Sequence, residues 1–319
     1  MIVDIEDTTT AQVGKRLAVI REDGGVVALS RVLTLVILAS NGRVEEAIAA
    51  ANRASREHPC RIIVLAVGSR EAETRLDAQI RVGGDAGASE VVVLRCGGEL
   101  VDHQESTISS LLLPDAPVVA WWADEVPADV SDTPIGRLAH RRITDITQTA
   151  EPYAALEGLR STYTAGDTDL CWTRLTRWRI QLASILDIVD PATITSITVD
   201  SPAEVPSAAL LAAWLHRRLQ VPVGLTCIAP GTVLTAVHLH TTDGEVVLSR
   251  PDGDIARLHL AEGPTQSVPL PVRTLEDCLA EELRRLDADE IFGEVLTEDL
   301  PQVDFSACVL TPTPPTPAD

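Results

Sequence analysis

Tryptophan and arginine side chains, two residue types well suited to binding, are concentrated in two short segments of this chain. Five of its nine aromatic residues are tryptophan, and Trp121 and Trp122 together end one apolar run. The segment 171–179 holds two indoles and three guanidinium groups. Trp and Arg contribute strongly to binding at protein interfaces, and clustered arginines also bind phosphate. The candidate partner-binding residues are therefore Trp121, Trp122, Trp172, Arg174, Arg177 and Arg179.

The local spacing predicts different surroundings for the individual indoles. The segment 171–187 has helical spacing, and its apolar face includes Leu175 and Trp178, so we expect Trp178 in the core. Trp172 lies off that face, and we expect it at an interface or a site. Adjacent residues of a strand point to opposite faces. One of Trp121 and Trp122 can therefore lie in the core while the other meets the ligand crevice or a partner.

Two groups of side chains are weaker candidates for metal ligands. His238 and His240 point to the same side of a predicted strand, and a metal site there would need His259 or Asp243 as a third ligand. Two half-exposed strand histidines are the more common arrangement. A second group consists of acids between two predicted helices, where such residues more often cap or solvate helix ends. The acids of this second group are Asp287, Asp289 and Glu290. We therefore predict no metal site at either group.

Motifs that bind phosphate or activate a nucleophile are absent from the sequence. It has no Walker A motif, no G-x-G-x-x-G and no G-x-S-x-G elbow. The glycine-rich stretch 83–87 precedes a predicted strand instead of opening a helix, so we expect a plain turn there. The only lysine, Lys15, lies in a poorly structured segment. We therefore predict no catalytic residue and no cofactor.

The charge and composition of the chain exclude several classes of protein. A net charge of −21 disfavours binding to nucleic acid and docking on a membrane surface. No apolar run reaches the roughly 18 residues that a membrane span needs. The acidic N-terminus does not have the pattern of a signal peptide, so we expect a cytoplasmic protein. In that compartment the six cysteines are expected to be free thiols.

Alternating strands and helices in the first half of the chain predict an α/β fold. The strands are continuous apolar runs, which is typical of parallel strands buried on both faces. We expect a largely parallel, Rossmann-like sheet in a domain of residues 29–165, preceded by a loosely packed acidic arm, 1–28, with one short helix. The predicted strands are 32–39, 60–67, 78–82, 90–94, 117–123 and 143–146, and the predicted helices are 43–56 and 100–113.

The second half predicts another α/β domain, residues 166–305, followed by a proline-rich tail, 306–319. The polar stretch 161–168 is the candidate boundary. Closely spaced strands with a hairpin turn at Thr242–Gly244 predict an antiparallel β-meander over 232–270. The other predicted elements are the helix 171–187, the strand 194–199 and the helices 206–219, 274–286 and 289–296.

Several segments resemble the glucose-6-phosphate dehydrogenase assembly protein family, OpcA. They are 41–61, 113–122 and, most specifically, 169–183, and their combination and order carry the resemblance. The resemblance implies a non-catalytic protein that binds glucose-6-phosphate dehydrogenase and promotes its active oligomeric form. That enzyme feeds the oxidative pentose phosphate pathway and makes NADPH. By this resemblance the dehydrogenase is the expected partner.

Two other functions are compatible with the same residues. One is an enzyme or sensor with its own phosphosugar or nucleotide site, in which Arg174, Arg177 and Arg179 clamp an anion at the end of the Trp121 strand. The missing phosphate loop counts against this alternative. The other is a metal-dependent hydrolase that uses the two strand histidines.

Overall fold

The computed structural model describes residues 1–23, 32–56, 58–83, 90–228, 231–251 and 253–309. The chain divides into two compact units, and each is assembled from three segments. The first unit comprises Met1–Thr149, Thr162–Thr173 and Thr274–Glu290. The second comprises Ala150–Ser161, Arg174–Arg273 and the chain from Ile291 onwards. The units interleave along the sequence, whereas the proposed domains 29–165 and 166–305 follow one another.

The first unit contains an eight-stranded sheet. Its strands are β1 (Ile2–Ile5), β2 (Leu33–Ala39), β3 (Cys60–Val67), β4 (Arg75–Arg81), β5 (Glu90–Gly97), β6 (Val118–Trp122), β7 (Arg141–Thr144) and β8 (Asp167–Asp169). Their order in the sheet is β1-β4-β5-β3-β2-β6-β7-β8. Strands β2, β3 and β5 to β8 pair in parallel, and β1 and β4 pair antiparallel with each other, as do β4 and β5. The prediction of a largely parallel α/β sheet is confirmed.

Helices cover both faces of this sheet. Among the described residues of both units, the α-helices are α1 (Thr10–Asp23), α2 (Val44–Ala54), α3 (Gln104–Ser109), α4 (Pro134–Leu138), α5 (Pro152–Thr162), α6 (Leu170–Arg174), α7 (Thr176–Ile185), α8 (Ser207–Leu219), α9 (Leu275–Arg284) and α10 (Glu290–Glu294). Helices α2 and α9 share an apolar cluster with Ile37 and Trp121. Helix α1 belongs to a second cluster, which includes Val36 and Trp122. Neighbouring strand residues fall in different clusters because their side chains alternate between the faces. Within the described residues, no helix has both the length and the apolar character that crossing a bilayer requires.

The prediction of a loosely packed N-terminal arm is wrong. β1 pairs with β4 at the edge of the sheet, and α1 buries Val13, Leu17 and Ile20. These three residues are spaced for one helix face, so they add to the core. The predicted short helix is confirmed, and residues 24–28 of the predicted arm lie outside the described residues.

Two predicted helices are shorter than expected. The segment 100–113 contains a short 3₁₀ helix and α3, because Ser106 and Ser109 hydrogen-bond to backbone carbonyls of the preceding turn and compete with a longer helix. The segment 171–187 is divided at Leu175 into α6 and α7, an interruption that nothing in the structure explains.

The polar stretch 161–168 leads directly into β8, where Asp167 is buried against Arg142. Residues 84–89, which include most of the glycine-rich stretch, lie outside the described residues.

The second unit contains a six-stranded sheet in which the predicted meander is confirmed. Its strands are β9 (Ile194–Pro202), β10 (Val223–Ile228), β11 (Ala236–Thr241), β12 (Gly244–Ser249), β13 (Ile255–His259) and β14 (Gln266–Pro269). Their order is β10-β9-β11-β12-β13-β14, and only β9 and β10 pair in parallel. Alternation leaves one face apolar, with Val237, Leu239 and Leu248 buried. The hairpin turn between β11 and β12 is confirmed at Thr242 and Asp243, followed by Gly244 at φ 139°.

The expectation of six free thiols is wrong for one pair. Cys227 on β10 and Cys308 form a disulfide across 81 residues of sequence. Cys308 lies in a short 3₁₀ helix, Ser306–Cys308, so the start of the predicted tail belongs to the folded structure, and residues 310–319 lie outside the described residues. The other four cysteines are buried. Burial raises the pKa of the Cys96 thiol to about 11, so this thiol stays protonated at neutral pH.

Candidate functional site

The first unit has an open crevice at the position where α/β sheets usually bind ligands. The chain runs from β2 to β3 on one side and later returns to β6 on the other side, so the strand order reverses next to β2. Ligands in such sheets bind outside the carboxyl ends of the strands at this switch point. A pocket of about 530 Å³ lies there. Its lining includes Leu38, Ser40, Val67, Trp122, Asp124, Glu125 and Val126.

An aspartate of the protein occupies the donors that a phosphate would need in this crevice. The backbone N–H of Ser40 donates to Asp124 Oδ2 at 2.8 Å, and the Ser40 hydroxyl donates to the same oxygen at 2.5 Å. Helix α2, which follows Ser40, carries Glu45 and Glu46 in its first turn, paired with Arg81 and Arg43, and the crevice itself is lined by Asp124 and Glu125. A dinucleotide site instead presents free N–H groups and the positive end of a helix. The crevice therefore repels phosphate and favours a neutral or cationic ligand.

The next two parallel strands also end in aspartates. Asp145 follows β7 and Asp169 ends β8, and the carboxylates of both lie within 4.8 Å of each other and of the Cys171 sulfur. Asp169 accepts hydrogen bonds from the Thr144 hydroxyl and from the backbone N–H groups of Ile146 and Cys171. The Asp169 carboxylate thus closes the turns that follow β7 and β8, and we assign it to the structure of the sheet edge.

The pH dependence of stability tests this assignment. Burial, reinforced by the nearby Asp145 charge, raises the pKa of Asp169 from 3.8 to about 6. The unfolded chain therefore loses this proton at lower pH than the folded chain does. The protonated Asp169 side chain therefore stabilises the folded chain. This contribution is complete below about pH 3.8 and is lost as the pH rises through about 6.

We expect the wild-type chain to lose stability relative to Asp169→Asn as the pH rises. The free energy of unfolding of wild type minus that of Asp169→Asn should fall by about 2 kcal/mol between about pH 4.5 and 7.5. Urea unfolding measures both values. Asp129→Asn is the control. Hydrogen bonds from Ser131 and Asp132 lower the Asp129 pKa, so its titration falls below this window. A difference for Asp169→Asn that does not vary with pH would contradict the assignment.

The three candidate indoles are buried, which corrects the expectation of an exposed contact for Trp121 and Trp172. Trp121 and Trp172 are each 1% exposed, and Trp122 is also buried. Trp121 lies in the core and Trp122 lines the crevice, an arrangement that the alternation of the strand had allowed. The Trp172 indole N–H donates to Asp289 Oδ2 at 2.8 Å. Trp178 is buried as predicted, with the Arg250 guanidinium 5.3 Å from its ring centroid.

The candidate arginines are half-buried. Arg177 Nη1 lies 3.5 Å from the Pro271 carbonyl oxygen, and Arg179 Nη2 donates to the Thr176 hydroxyl at 3.2 Å. Arg174, at the end of α6, is half-buried as well. The structure assigns these three residues to the second unit and Trp121 to the first.

An exposed apolar patch, which sequence reasoning missed, lies beside Arg177. Ile180 on α7 is 57% exposed, although a single isoleucine in a polar helix face gives no sequence signal. Gln181 donates to the Pro269 carbonyl at 3.3 Å, which places the outer face of α7 along the segment 269–272. Val272, which follows the Pro271 that Arg177 approaches, is exposed too. We name this surface the Ile180 patch; it consists of Arg177, Ile180, Gln181 and Val272.

The two strand histidines contact carboxylates, and these are not the residues expected as the third metal ligand. His238 Nε2 lies 3.0 Å from Asp200 Oδ2, and His238 Nδ1 lies 3.0 Å from Glu245 Oε1. His240 Nε2 lies 3.0 Å from the Thr198 hydroxyl. In the part of the chain that the structure describes, neither His259 nor Asp243 joins them in a group of three potential ligands. The histidines therefore form polar contacts across the outer face of the meander.

The acids around 287–290 take part in a buried polar network in the first unit. The Arg141 guanidinium pairs with Glu282 on α9 and donates to the backbone carbonyl of Asp287. The Thr173 hydroxyl donates to the other Glu282 oxygen. Burial raises the pKa of Glu282 above its usual range. Asp289 accepts the hydrogen bond from the Trp172 indole, and Glu290 begins α10. These contacts hold the segment 274–290 in the first unit.

Comparison with known proteins gives one family and several remote structural likenesses. The model for the glucose-6-phosphate dehydrogenase subunit N-terminal domain matches residues 51–161, and the model for the C-terminal domain of that subunit matches residues 165–296. No curated protein matches the sequence significantly.

The similar solved structures are oxidoreductases with low identity. An oxidoreductase from Sinorhizobium meliloti is 10% identical, with 86% of this chain and 96% of that chain covered and a TM-score of 0.49. KijD10, a 3-ketoreductase from Actinomadura kijaniata in complex with NADP, is 10% identical, with 85% and 96% covered and a TM-score of 0.48. These likenesses are too remote to carry an argument about function.

The two family models together match most of the chain. The chain therefore belongs to the OpcA family of glucose-6-phosphate dehydrogenase assembly proteins.

Proposed function

We propose that this protein is a non-catalytic cytoplasmic partner that binds glucose-6-phosphate dehydrogenase and favours its active oligomer. In this role it supports NADPH production in the oxidative pentose phosphate pathway. The observation that carries the proposal is the match of both halves of the chain to models named for a subunit of that dehydrogenase.

Linkage between binding and assembly is the physical mechanism of the proposal. A protein that binds the active arrangement of an enzyme more tightly than the inactive one shifts the population toward the active arrangement. A coupling free energy of about 1–3 kcal/mol corresponds to roughly 5–150-fold tighter binding of a linked ligand. The substrate affinity of the dehydrogenase can therefore rise without any catalytic residue from this chain. The net charge of −21 would also steer the encounter with a basic patch on the partner.

The Ile180 patch is the surface that we propose for this contact. Exposed apolar residues with a polar rim mark sites of protein association, and an arginine beside them is typical of an energetically important contact. The patch retains Arg177 from the residues that the sequence singled out. It replaces the buried indoles of Trp121 and Trp172 as the apolar part of the contact.

The crevice disfavours the alternative of an enzyme or sensor with its own phosphosugar or nucleotide site. The donors of Ser40 already bind Asp124, and carboxylates line the space where a phosphate would lie. A thermal shift with glucose 6-phosphate or NADPH discriminates between the two functions, because a ligand that binds only the folded chain must stabilise it. Neither compound is expected to stabilise the isolated protein.

Ile180→Ser is expected to weaken binding of the dehydrogenase about tenfold or more, while the melting temperature stays unchanged, because the side chain is exposed. Isothermal titration with the dehydrogenase of the same cell measures the affinity. Ile188→Ser is the matched control, because Ile188 is 64% exposed and lies after the end of α7, outside the patch. Equal affinity of both variants and wild type would exclude the patch. No binding by the wild-type chain would exclude the proposed function itself.

A further inference from the structure

The crevice of the first unit combines apolar walls with carboxylates. Leu38, Val67 and Val126 are apolar residues of the lining, and Trp122, which is 3% exposed, belongs to it too. A volume of about 530 Å³ is within the range of pockets that hold a small molecule or a large side chain. The pocket is open to solvent, so a group carried on another chain can enter it.

Two adjacent acids give the crevice its charge, and they play different parts. Asp124 accepts hydrogen bonds from Ser40 and from the backbone N–H of Glu125, so its carboxylate is held in place. The Glu125 side chain is exposed and lines the same pocket. Within the described residues, the Glu125 carboxylate makes no hydrogen bond or ion pair. It is the group that remains available to a ligand.

Further negative charge lies next to the mouth of the crevice. A second pocket, of about 360 Å³, shares Pro134 with the crevice and is lined by Glu105 and by Asp102, which pairs with Arg70 at 2.8 Å. The one arginine that lines this second pocket, Arg137, forms an ion pair with Asp132 at 3.1 Å. The charge around the crevice is therefore complementary to a cation.

A guanidinium group has the chemistry that matches all of these features. It is planar, it stacks on aromatic rings, and it donates paired hydrogen bonds to carboxylates. We propose that the crevice receives an arginine side chain carried by the partner enzyme, with Glu125 as the residue that pairs with it. This inference rests on the proposed function, and it assigns to that function a second contact site, in the first unit.

Affinity for the dehydrogenase, compared between two matched glutamate variants, tests the inference. Glu125→Gln removes the carboxylate and is expected to weaken binding about tenfold, because a hydrogen bond to a charged group is lost. Glu262→Gln changes the net charge equally at an exposed position in the second unit and is expected to change the affinity less than about twofold. L-argininamide should compete with the dehydrogenase for the wild-type chain, whereas citrullinamide, its neutral analogue, should not.

The outcomes separate this inference from the proposed function. If the wild-type chain binds the dehydrogenase and Glu125→Gln binds as well as Glu262→Gln, the arginine pocket is wrong and the proposed function stands. If argininamide binds the wild-type chain but not Glu125→Gln, and dehydrogenase binding is the same for both, the pocket takes a free cation and the inference about the partner is overturned. If the wild-type chain does not bind the dehydrogenase, the proposed function fails and the inference fails with it.

Discussion

Glu282→Gln is expected to lower the free energy of unfolding by about 3–5 kcal/mol, because it leaves the Arg141 guanidinium buried without its counter-ion. Both side chains of the pair are almost completely buried. The Glu282 pKa is raised by burial in spite of the adjacent arginine, so desolvation outweighs the attraction between the two charges. An amide at position 282 still offers polar atoms to Thr173 and Arg141, but it supplies no negative charge.

Denaturant unfolding of matched variants of α9 measures this effect. Glu276→Gln, also on α9, breaks an ion pair with Arg53 on α2, but both partners of that pair are accessible to water, and we expect a loss below about 1 kcal/mol. Replacing both buried partners, with Arg141→Met and Glu282→Leu together, should recover most of the stability lost in Glu282→Gln. Equal effects of Glu282→Gln and Glu276→Gln would show that the buried pair does not hold the segment 274–290.

Trp172→Ala is expected to destabilise the protein by about 3–5 kcal/mol, because it removes the largest side chain type from a buried position. The indole is 1% exposed and its N–H is bonded to Asp289. Trp172→Phe keeps most of the ring volume and loses the indole hydrogen bond, so it should cost less, about 1–3 kcal/mol.

Thermal and urea unfolding of the two Trp172 variants distinguish a core residue from a contact residue. A core residue gives the graded loss described above, and dehydrogenase affinity measured on the folded fraction stays near that of wild type. A Trp172→Ala chain that is as stable as wild type but binds the dehydrogenase poorly would contradict the buried position and restore the interface prediction.

The elements that could be predicted from the sequence are those with a strong local pattern. The apolar runs of β2 and β3 indicate strands buried on both faces, and the alternation in β11 and β12 indicates a meander with one apolar face. Helix α8 begins after Pro206, as its apolar spacing predicts. In each of these elements the residues that decide the structure are close together in sequence.

The features that could not be predicted depend on residues far apart in sequence. The burial of Trp172 follows from the return of the segment 274–290 to the first unit, more than 100 residues later. The polar residues of β7 and β8 have no apolar pattern, and they are buried because Arg142 and Asp167 pair across the strands. The bond between Ser40 and Asp124, which sets the charge of the crevice, joins residues 84 positions apart.

The candidate site shows the same division. The interface prediction identified the segment that contains Arg177, because Trp and Arg are enriched there. It could not separate the buried indoles from exposed groups, since the spacing of one helix does not show which other segments cover it. Ile180 and Glu125 became candidates only when their exposure and neighbours were known.

The rate of glucose-6-phosphate dehydrogenase as a function of glucose 6-phosphate concentration, with and without this protein, tests the proposed function most directly. The dehydrogenase should come from the same cell, and mass photometry of the same samples should follow its assembly. We predict a lower half-saturating concentration or a higher maximal rate, together with a heavier complex. Unchanged kinetics and an unchanged mass distribution would contradict the account.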